Sequence, residues 1–285
     1  MRLLVVGGDG MLGHRLLAVL AARHTVCVTL RHALPTYAGR GLFGPDTAIG
    51  GVDVQDFALV ERAVAAFRPD AVINAVGIVK QRDSALDPMT SITVNALLPH
   101  RLSALCARMG ARLILVGTDC VFSGRRGFYS EADEPDPVDL YGRSKLLGEI
   151  ADAAHVLTLR TSIIGTELGR RQGLLEWFLG QQGAVRGFTR AVFSGLTTIE
   201  LARLIERVLT EHQDLAGLYH VAAAPIDKAA LLMLLRDAFG LATEIIPDPG
   251  VVIDRSLDPT RFYQATGYQA PSWTQMVGEL TASRL

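Results

Sequence analysis

The feature that most constrains this chain lies at its start. An apolar run, Leu3–Val6, breaks into Gly7-Gly8-Asp9-Gly10-Met11-Leu12-Gly13, and helical spacing follows over Gly13–Ala22. The turn satisfies G-x-G-x-x-G from Gly8 and G-x-x-G-x-x-G from Gly7. Between a strand and a helix, such glycines allow a tight turn and let backbone N–H groups approach a pyrophosphate at the helix N-terminus. A plain glycine-rich turn meets the same pattern, so the flanking strand and helix carry the reading.

The alternation continues. Val26–Leu30, Ala71–Val76, Arg112–Val116 and Val156–Leu159 read as short strands that are apolar throughout. Val60–Phe67, Leu97–Met109 and Ser144–Ala154 read as helices between them. Strands buried on both faces, alternating with helices, predict an α/β fold with a doubly wound parallel (Rossmann) sheet. After Ser162 the rhythm changes: Thr198–Leu209 and Lys228–Phe239 read as helices, and Leu218–Val221 and Thr243–Ile246 as strands. The expected division is a dinucleotide-binding domain over 1–162 plus about 196–222. A smaller C-terminal substrate lobe takes about 163–195 plus 223–285.

Composition narrows the function. Lys+Arg is 28 against Asp+Glu 29, and that balance argues against a nucleic-acid partner. Lysine is rare, with Lys80, Lys145 and Lys228 alone, so each is examined for a role arginine cannot fill. Cys27, Cys106 and Cys120 are far apart and lack CxxC spacing, and the histidines stand singly; neither a disulfide framework nor a metal site is expected. The N-terminus reads as a strand rather than a signal peptide, and no apolar run is long enough to span a membrane. A cytoplasmic protein is expected.

The acidic residue that would bind an adenosine 2′-hydroxyl is missing from His14 to Pro45, and the second strand ends Thr29-Leu30-Arg31-His32. An arginine there suits a 2′-phosphate, which predicts NADPH, with NADH admitted if Arg31 is only a solvated strand end. Further on, Tyr141 and Lys145 stand at i and i+4 of one helix face. A phenol is a poor acid near neutrality; an adjacent ammonium stabilises its phenolate and lets it give a proton to a carbonyl oxygen as hydride reaches carbon. Upstream, Leu113–Val116 ends at Gly117-Thr118, placing Thr118 at a strand's C-terminal edge, where ligands of open α/β sheets lie.

These residues resemble an extended short-chain dehydrogenase/reductase, most closely the dTDP-4-dehydrorhamnose reductase branch of sugar-nucleotide reductases. The resemblance rests on GGDGMLG, VINAVG (72–77), GTDCVFSG (117–124), YSEADEPDPVDLYGRSKLLGE (129–149), LRTSIIG (159–165), FSGLTT (193–198) and LDPTRFYQATGY (257–268). It implies Thr118, Tyr141 and Lys145 as catalytic residues. For the cofactor it implies Gly7, Gly10, Met11, Leu12, Gly13, Arg31, His32, Asp53, Val54, Asn74, Ala75, Val76, Gly77, Asn95, Thr161 and Ser162, with Tyr141 and Lys145. For a nucleotide-sugar substrate it points to Lys80, Thr118, Asp119, Phe122 and Trp177.

Related dehydratases carry an Asp-Glu pair after the threonine, whereas Thr118-Asp119 is followed here by Cys120. Without the second carboxylate, keto reduction is favoured over elimination. Where rhamnose-type reductases have an aromatic after Arg-Thr-Ser, this chain has Ile163-Ile164, so thymidine specificity does not carry over. The expected activity is NADPH-dependent reduction of the C4 ketone of a nucleotide-linked 4-keto-6-deoxyhexose, in polysaccharide biosynthesis. Two alternatives stay open: a nucleotide-sugar epimerase with tightly bound NAD, and a non-catalytic NADP-binding regulatory subunit like that of methionine adenosyltransferase. Lys80 either approaches substrate or is solvated. Trp177 stacks on a base, packs the lobe or meets a second copy in a homodimer. Cys120 reads as a buried structural thiol, and the acidic run Glu131–Asp139 as a solvated loop capping the Tyr141 helix.

Overall fold

The computed structural model describes residues 1–78, 87–169 and 172–282. Its strands, in chain order, are β1 (Arg2–Val6), β2 (Thr25–Thr29), β3 (Ala48–Ile49), β4 (Ala71–Asn74), β5 (Arg112–Val116), β6 (Val156–Arg160), β7 (Ile163–Ile164), β8 (Ala184–Phe188), β9 (Ala191–Phe193), β10 (Leu196–Thr197), β11 (Gly217–His220), β12 (Ile226–Asp227), β13 (Glu244–Asp248) and β14 (Ile253–Asp254). The α-helices are α1 (Gly13–Leu20), α2 (Phe57–Phe67), α3 (Pro88–Ser91), α4 (Leu98–Met109), α5 (Leu140–Leu147), α6 (Leu174–Leu179), α7 (Thr198–Glu211), α8 (Lys228–Phe239), α9 (Thr260–Thr266) and α10 (Trp273–Ala282). The chain forms two compact units, Met1–Gly117 with Asp139–Leu159 and Ala202–Leu218, and Thr118–Val138 with Arg160–Leu201 and Tyr219–Leu285.

The first unit is built on a seven-stranded sheet of order β11-β6-β5-β4-β1-β2-β3. β1 pairs in parallel with both β2 and β4, and β4–β5 and β5–β6 continue in parallel. The chain winds outward from β1 through β2 to β3, then returns to start β4 on the other side. That reversal opens a crevice at the carboxyl ends of β1 and β4. Leu4, Val6, Val72, Leu113 and Leu115 are buried beneath helix residues Val60, Val64, Leu102 and Cys106. The strands are apolar throughout because helices cover both faces, as expected for the Rossmann sheet.

Among the helix boundaries that differ from the sequence reading, two concern the candidate site, while α2 starts earlier, at Phe57, and α1 ends earlier, at Leu20. The helix expected over Ser144–Ala154 runs instead over Leu140–Leu147, because the Asp139 carboxylate caps it by accepting from Gly142 N at 2.8 Å. Gly148 ends it, and a Cβ there would overlap the Asn95 carbonyl, so only glycine allows this approach. The helix expected from Leu97 is preceded by α3 and a π-helical stretch, Ile92–Leu97, that carries Asn95. Such turns often mark functional sites, since they redirect one side chain without breaking the helix.

The second unit carries the small sheets β10-β7, β12-β9-β14 and β13-β8. Helix α8 packs along β8 and β13 and against α10. Phe178, Leu231, Leu235 and Phe262 are fully buried there. Trp273 donates its indole N–H to Ala224 O at 2.7 Å, and Tyr268 donates its hydroxyl to Glu200 Oε1 at 2.8 Å. No helix among the described residues is long and apolar enough to cross a membrane.

Candidate active site

The glycine turn is held from two sides. Gly7 N donates to Thr29 Oγ1 at 3.1 Å and Gly8 N to Thr29 O at 2.8 Å, while Gly10 N turns back to Gly7 O at 3.2 Å. Gly7 adopts φ +96°, in the left-handed region, and a Cβ on Gly13 would overlap the Gly7 carbonyl. The turn therefore requires glycine at both positions and delivers the chain to the N-terminus of α1, a cradle fitted to a dinucleotide pyrophosphate. Met11 is partly covered and lies in this turn, whereas the Leu12 side chain is core and contributes to the cradle only through its backbone.

At the end of β2, Arg31 pairs with Asp53 at 3.2 Å, both half-exposed. The sequence separates them by 22 positions, and the fold brings Asp53, expected near the cofactor, to the strand end whose own stretch from His14 to Pro45 holds no acid. Exposed His32 donates its backbone N–H to Tyr37 Oη at 3.3 Å. Tyr37, buried, donates in turn to Asp9 Oδ2 at 2.9 Å. Val54 is half-buried behind Asp53 against the core. Sequence reasoning missed Tyr37 because its two partners come from different segments.

Beyond β4, the Asn74 side chain accepts from Val76 N at 3.1 Å and so shapes the turn of Ala75, Val76 and Gly77, which remain half-exposed at the strand's carboxyl end. Asn95 lies in the π-helical stretch before α4. Expected near the cofactor, it is 1% exposed and fully engaged. It accepts from Ile78 N at 2.9 Å and donates to Ile78 O at 3.0 Å and Ser144 Oγ at 3.1 Å. These bonds tie the end of the β4 segment to helix α5.

Tyr141 and Lys145 both lie on α5, at i and i+4. Lys145 donates its ammonium to Val116 O at 2.8 Å, at the carboxyl end of β5 and two residues before Thr118. Burial pushes this lysine down to about 8, with Glu149 opposing. A desolvated ammonium one helical turn from a phenol has the chemistry to stabilise that phenol's anion.

In the second unit, Thr118 caps a short 3₁₀ turn, its Oγ1 accepting from Cys120 N at 3.2 Å and donating to Asp119 Oδ1 at 3.3 Å. Asp119 is buried; desolvation pushes its carboxyl up, with Arg255 foremost among the groups opposing. Phe122 does not offer a face to substrate as expected: it is fully buried, stacked on Tyr129 at 4.2 Å and 6°. Cys120 is half-buried rather than buried, with Arg255 Nη1 3.7 Å from its sulfur. Thr161 is buried, Ser162 half-exposed, and Thr161 Oγ1 donates to Ser162 O at 3.3 Å. Trp177 is 40% exposed, so its ring is not lobe core; Phe178 beside it is. Lys80 lies outside the described residues.

The acidic run is not a merely solvated loop. Glu131 Oε1 accepts from His220 N at 2.7 Å, Asp133 Oδ2 pairs with Arg126 at 2.5 Å, and Asp136 accepts from Ser123 N at 2.7 Å. The buried ring of His220 sits between Tyr129 O at 2.9 Å and Arg160 Nη1 at 3.2 Å. Desolvation, seconded by Arg160, pushes that imidazole down to about 4. Sequence reading missed this lock because it joins segments 60 and 91 residues apart.

A parallel sheet of this order, entered through that glycine turn and carrying a Tyr-x-x-x-Lys helix beside β5, is the frame of the extended short-chain dehydrogenases/reductases, and this is the protein's class. The family model described as the RmlD substrate binding domain matches residues 1–232, and the chain belongs to that family. A Haloferax volcanii protein named "Probable low-salt glycan biosynthesis reductase Agl14" is 30% identical over 230 residues, 77% of this chain and 73% of its own length. A dTDP-4-dehydrorhamnose reductase of Streptomyces griseus is 34% identical over 151 residues, 53% of this chain but 44% of its own, so the match spans less than half of that relative. The dTDP-4-dehydrorhamnose reductase of Bacillus anthracis, solved in complex with NADP, superposes with a TM-score of 0.79 at 18% identity, over 99% of this chain and 98% of that one. At that identity the likeness concerns the fold.

Proposed function

We propose that the protein reduces the C4 ketone of a nucleotide-linked 4-keto-6-deoxyhexose at the expense of NADPH. The observation that carries this reading is the seating of Lys145 against Val116 O at 2.8 Å, on the helix that bears Tyr141. A bound nicotinamide supplies the hydride that adds to C4. Tyr141 gives its phenolic proton to the oxygen, Lys145 stabilises the phenolate left behind, and Thr118 orients the carbonyl. Proton and hydride together turn the ketone into a secondary alcohol.

In this reading the first unit is the dinucleotide domain, in which Gly7–Gly13 would hold a pyrophosphate and Arg31 a 2′-phosphate, and the second is the substrate lobe. The names of the Streptomyces and Bacillus relatives and the NADP of the latter support this assignment. We place the activity in the cytoplasm, with the nucleotide sugar as partner and a second copy of the chain admitted. Cys120 after Thr118-Asp119 weighs against dehydration, and an intact Thr118, Tyr141 and Lys145 weighs against a purely regulatory role. Incubation with NADPH and dTDP-, GDP- and UDP-4-keto-6-deoxyhexoses, with products identified by NMR, tests the reading. Stoichiometric oxidation of NADPH is expected with at least one of them; isomerised sugar without net oxidation means an epimerase.

A further inference from the structure

Asp9 is an unusual residue to find near the end of β2, because its Oδ2 shares the Tyr37 hydroxyl with the His32 N–H at that strand end, and a carboxylate there repels a 2′-phosphate. Its neighbours are fixed: Gly8 N bonds to Thr29 O at 2.8 Å and Gly10 N to Gly7 O at 3.2 Å. The side-chain direction of Asp9 is set by Tyr37, whose hydroxyl reaches Asp9 Oδ2 at 2.9 Å. Tyr37 is itself anchored. It accepts from His32 N at 3.3 Å, meets Phe43 edge-on at 5.5 Å and 81°, and is 7% exposed. The 3₁₀ turn Leu34–Arg40 thus spans from the end of β2 to the glycine turn. The second acid near this strand end, Asp53, is likewise held, by Arg31 at 3.2 Å.

We propose that Tyr37 is a specificity-determining residue of the cofactor site, holding the Asp9 carboxylate against the 34–40 turn and so keeping that charge off the adenosine 2′-phosphate. The inference rests on the dinucleotide reading of the glycine turn. Arg31 supplies the attraction for the 2′-phosphate, and Tyr37 removes a repulsion that would offset it. Discrimination between two cofactors is a difference of affinities, and restraint of a repelling group contributes to it as directly as a new attraction does. The effect falls on NADPH rather than NADH, since only the former brings charge to the ribose.

The test is a double-mutant cycle read as dissociation constants for NADPH and NADH by titration calorimetry, with the wild-type chain, Tyr37→Phe, Asp9→Asn and the double variant. Tyr37→Phe keeps the ring and its packing, and a thermal melt reports whether the fold is intact. It is expected to weaken NADPH about tenfold, the scale of one modest charge interaction, and to leave NADH within about twofold. Adding Asp9→Asn is expected to restore NADPH affinity, and raised salt to shrink the Tyr37→Phe effect. Equal loss for both cofactors, no loss for either, or failure of Asp9→Asn to restore NADPH overturns the proposal. Should Tyr37→Phe unfold, Asp9→Glu, whose longer side chain displaces the carboxylate from the Tyr37 hydroxyl, decides: NADPH weakened relative to NADH supports the proposal, and unchanged relative affinity overturns it. A wild-type chain that binds neither dinucleotide overturns the cofactor reading itself, an outcome distinct from a wild type that binds NADPH while the variants do not discriminate.

Discussion

Lys145 is charged or neutral according to pH within the working range, because burial draws it down to about 8. In the proposed mechanism its useful form is the ammonium, which prevails below that value. Reduction is therefore expected to slow as pH rises through about 8, measured as kcat/KM between pH 6.5 and 10. Lys145→Arg, charged throughout, is expected to lower the rate yet flatten that limb. Tyr141→Phe is expected to lower kcat about 10²–10⁴-fold with substrate KM little changed; retention of most turnover would remove the proton-donor role. Residues of this sort were legible in the sequence, since i, i+4 spacing on a helix places side chains together whatever the rest of the fold does. Asn95 was not: its role as a tie between Ile78 and Ser144 depends on partners 17 and 49 positions away, and its identity alone fits a ligand contact equally well.

At the scale of elements, α5 is the part on which the site depends. Asp139 starts it and Gly148 stops it, within one turn of Tyr141 and Lys145, the proposed catalytic pair. Asp139→Ala is expected to cost about 1 kcal/mol of stability, read as a lowered melting temperature, and to reduce kcat through fraying of the turn that carries Tyr141. Asp139→Ser, which keeps a capping oxygen, is expected to recover most of both. The sequence reading began this helix at Ser144 and carried it to Ala154, since its polar composition offers little periodicity. The Asp139 side-chain cap and the close approach at Gly148, not an apolar face, set its limits. β1, β2, β4, β5 and β6 were readable because burial on both faces makes them continuous apolar runs. The two-residue strands β3, β7, β10, β12 and β14 are too short to carry a period and exist only through their partners.

Across the whole molecule, acid stability is tied to two buried histidines. His14, bonded at Nδ1 to Gly10 O, and His220 are both held near 4, below the ordinary 6.5, chiefly by desolvation. A folded-state value below the unfolded one means that the unfolded chain binds the proton more readily in acid, so stability is lost as pH falls from about 6.5 toward 4. Between pH 7 and 5 each histidine is expected to withdraw about 2 kcal/mol, seen as a falling denaturation midpoint. His220→Gln is expected to be less stable at pH 7 yet to lose less on acidification. The fold class and the family's order of motifs could be read along the chain, whereas the division of Thr118–Val138 into the second unit could not, because strand β5 and the segment leaving it are continuous in sequence.

Isotope transfer tests the central claim most directly. With NADPH deuterated at C4 of the nicotinamide and a nucleotide-linked 4-keto-6-deoxyhexose as acceptor, the expected product carries deuterium at sugar C4, with one NADPH oxidised per sugar and the transfer abolished or slowed at least a hundredfold by Tyr141→Phe. Deuterium at another carbon, sugar converted without loss of NADPH, or transfer at the wild-type rate in Tyr141→Phe would contradict it.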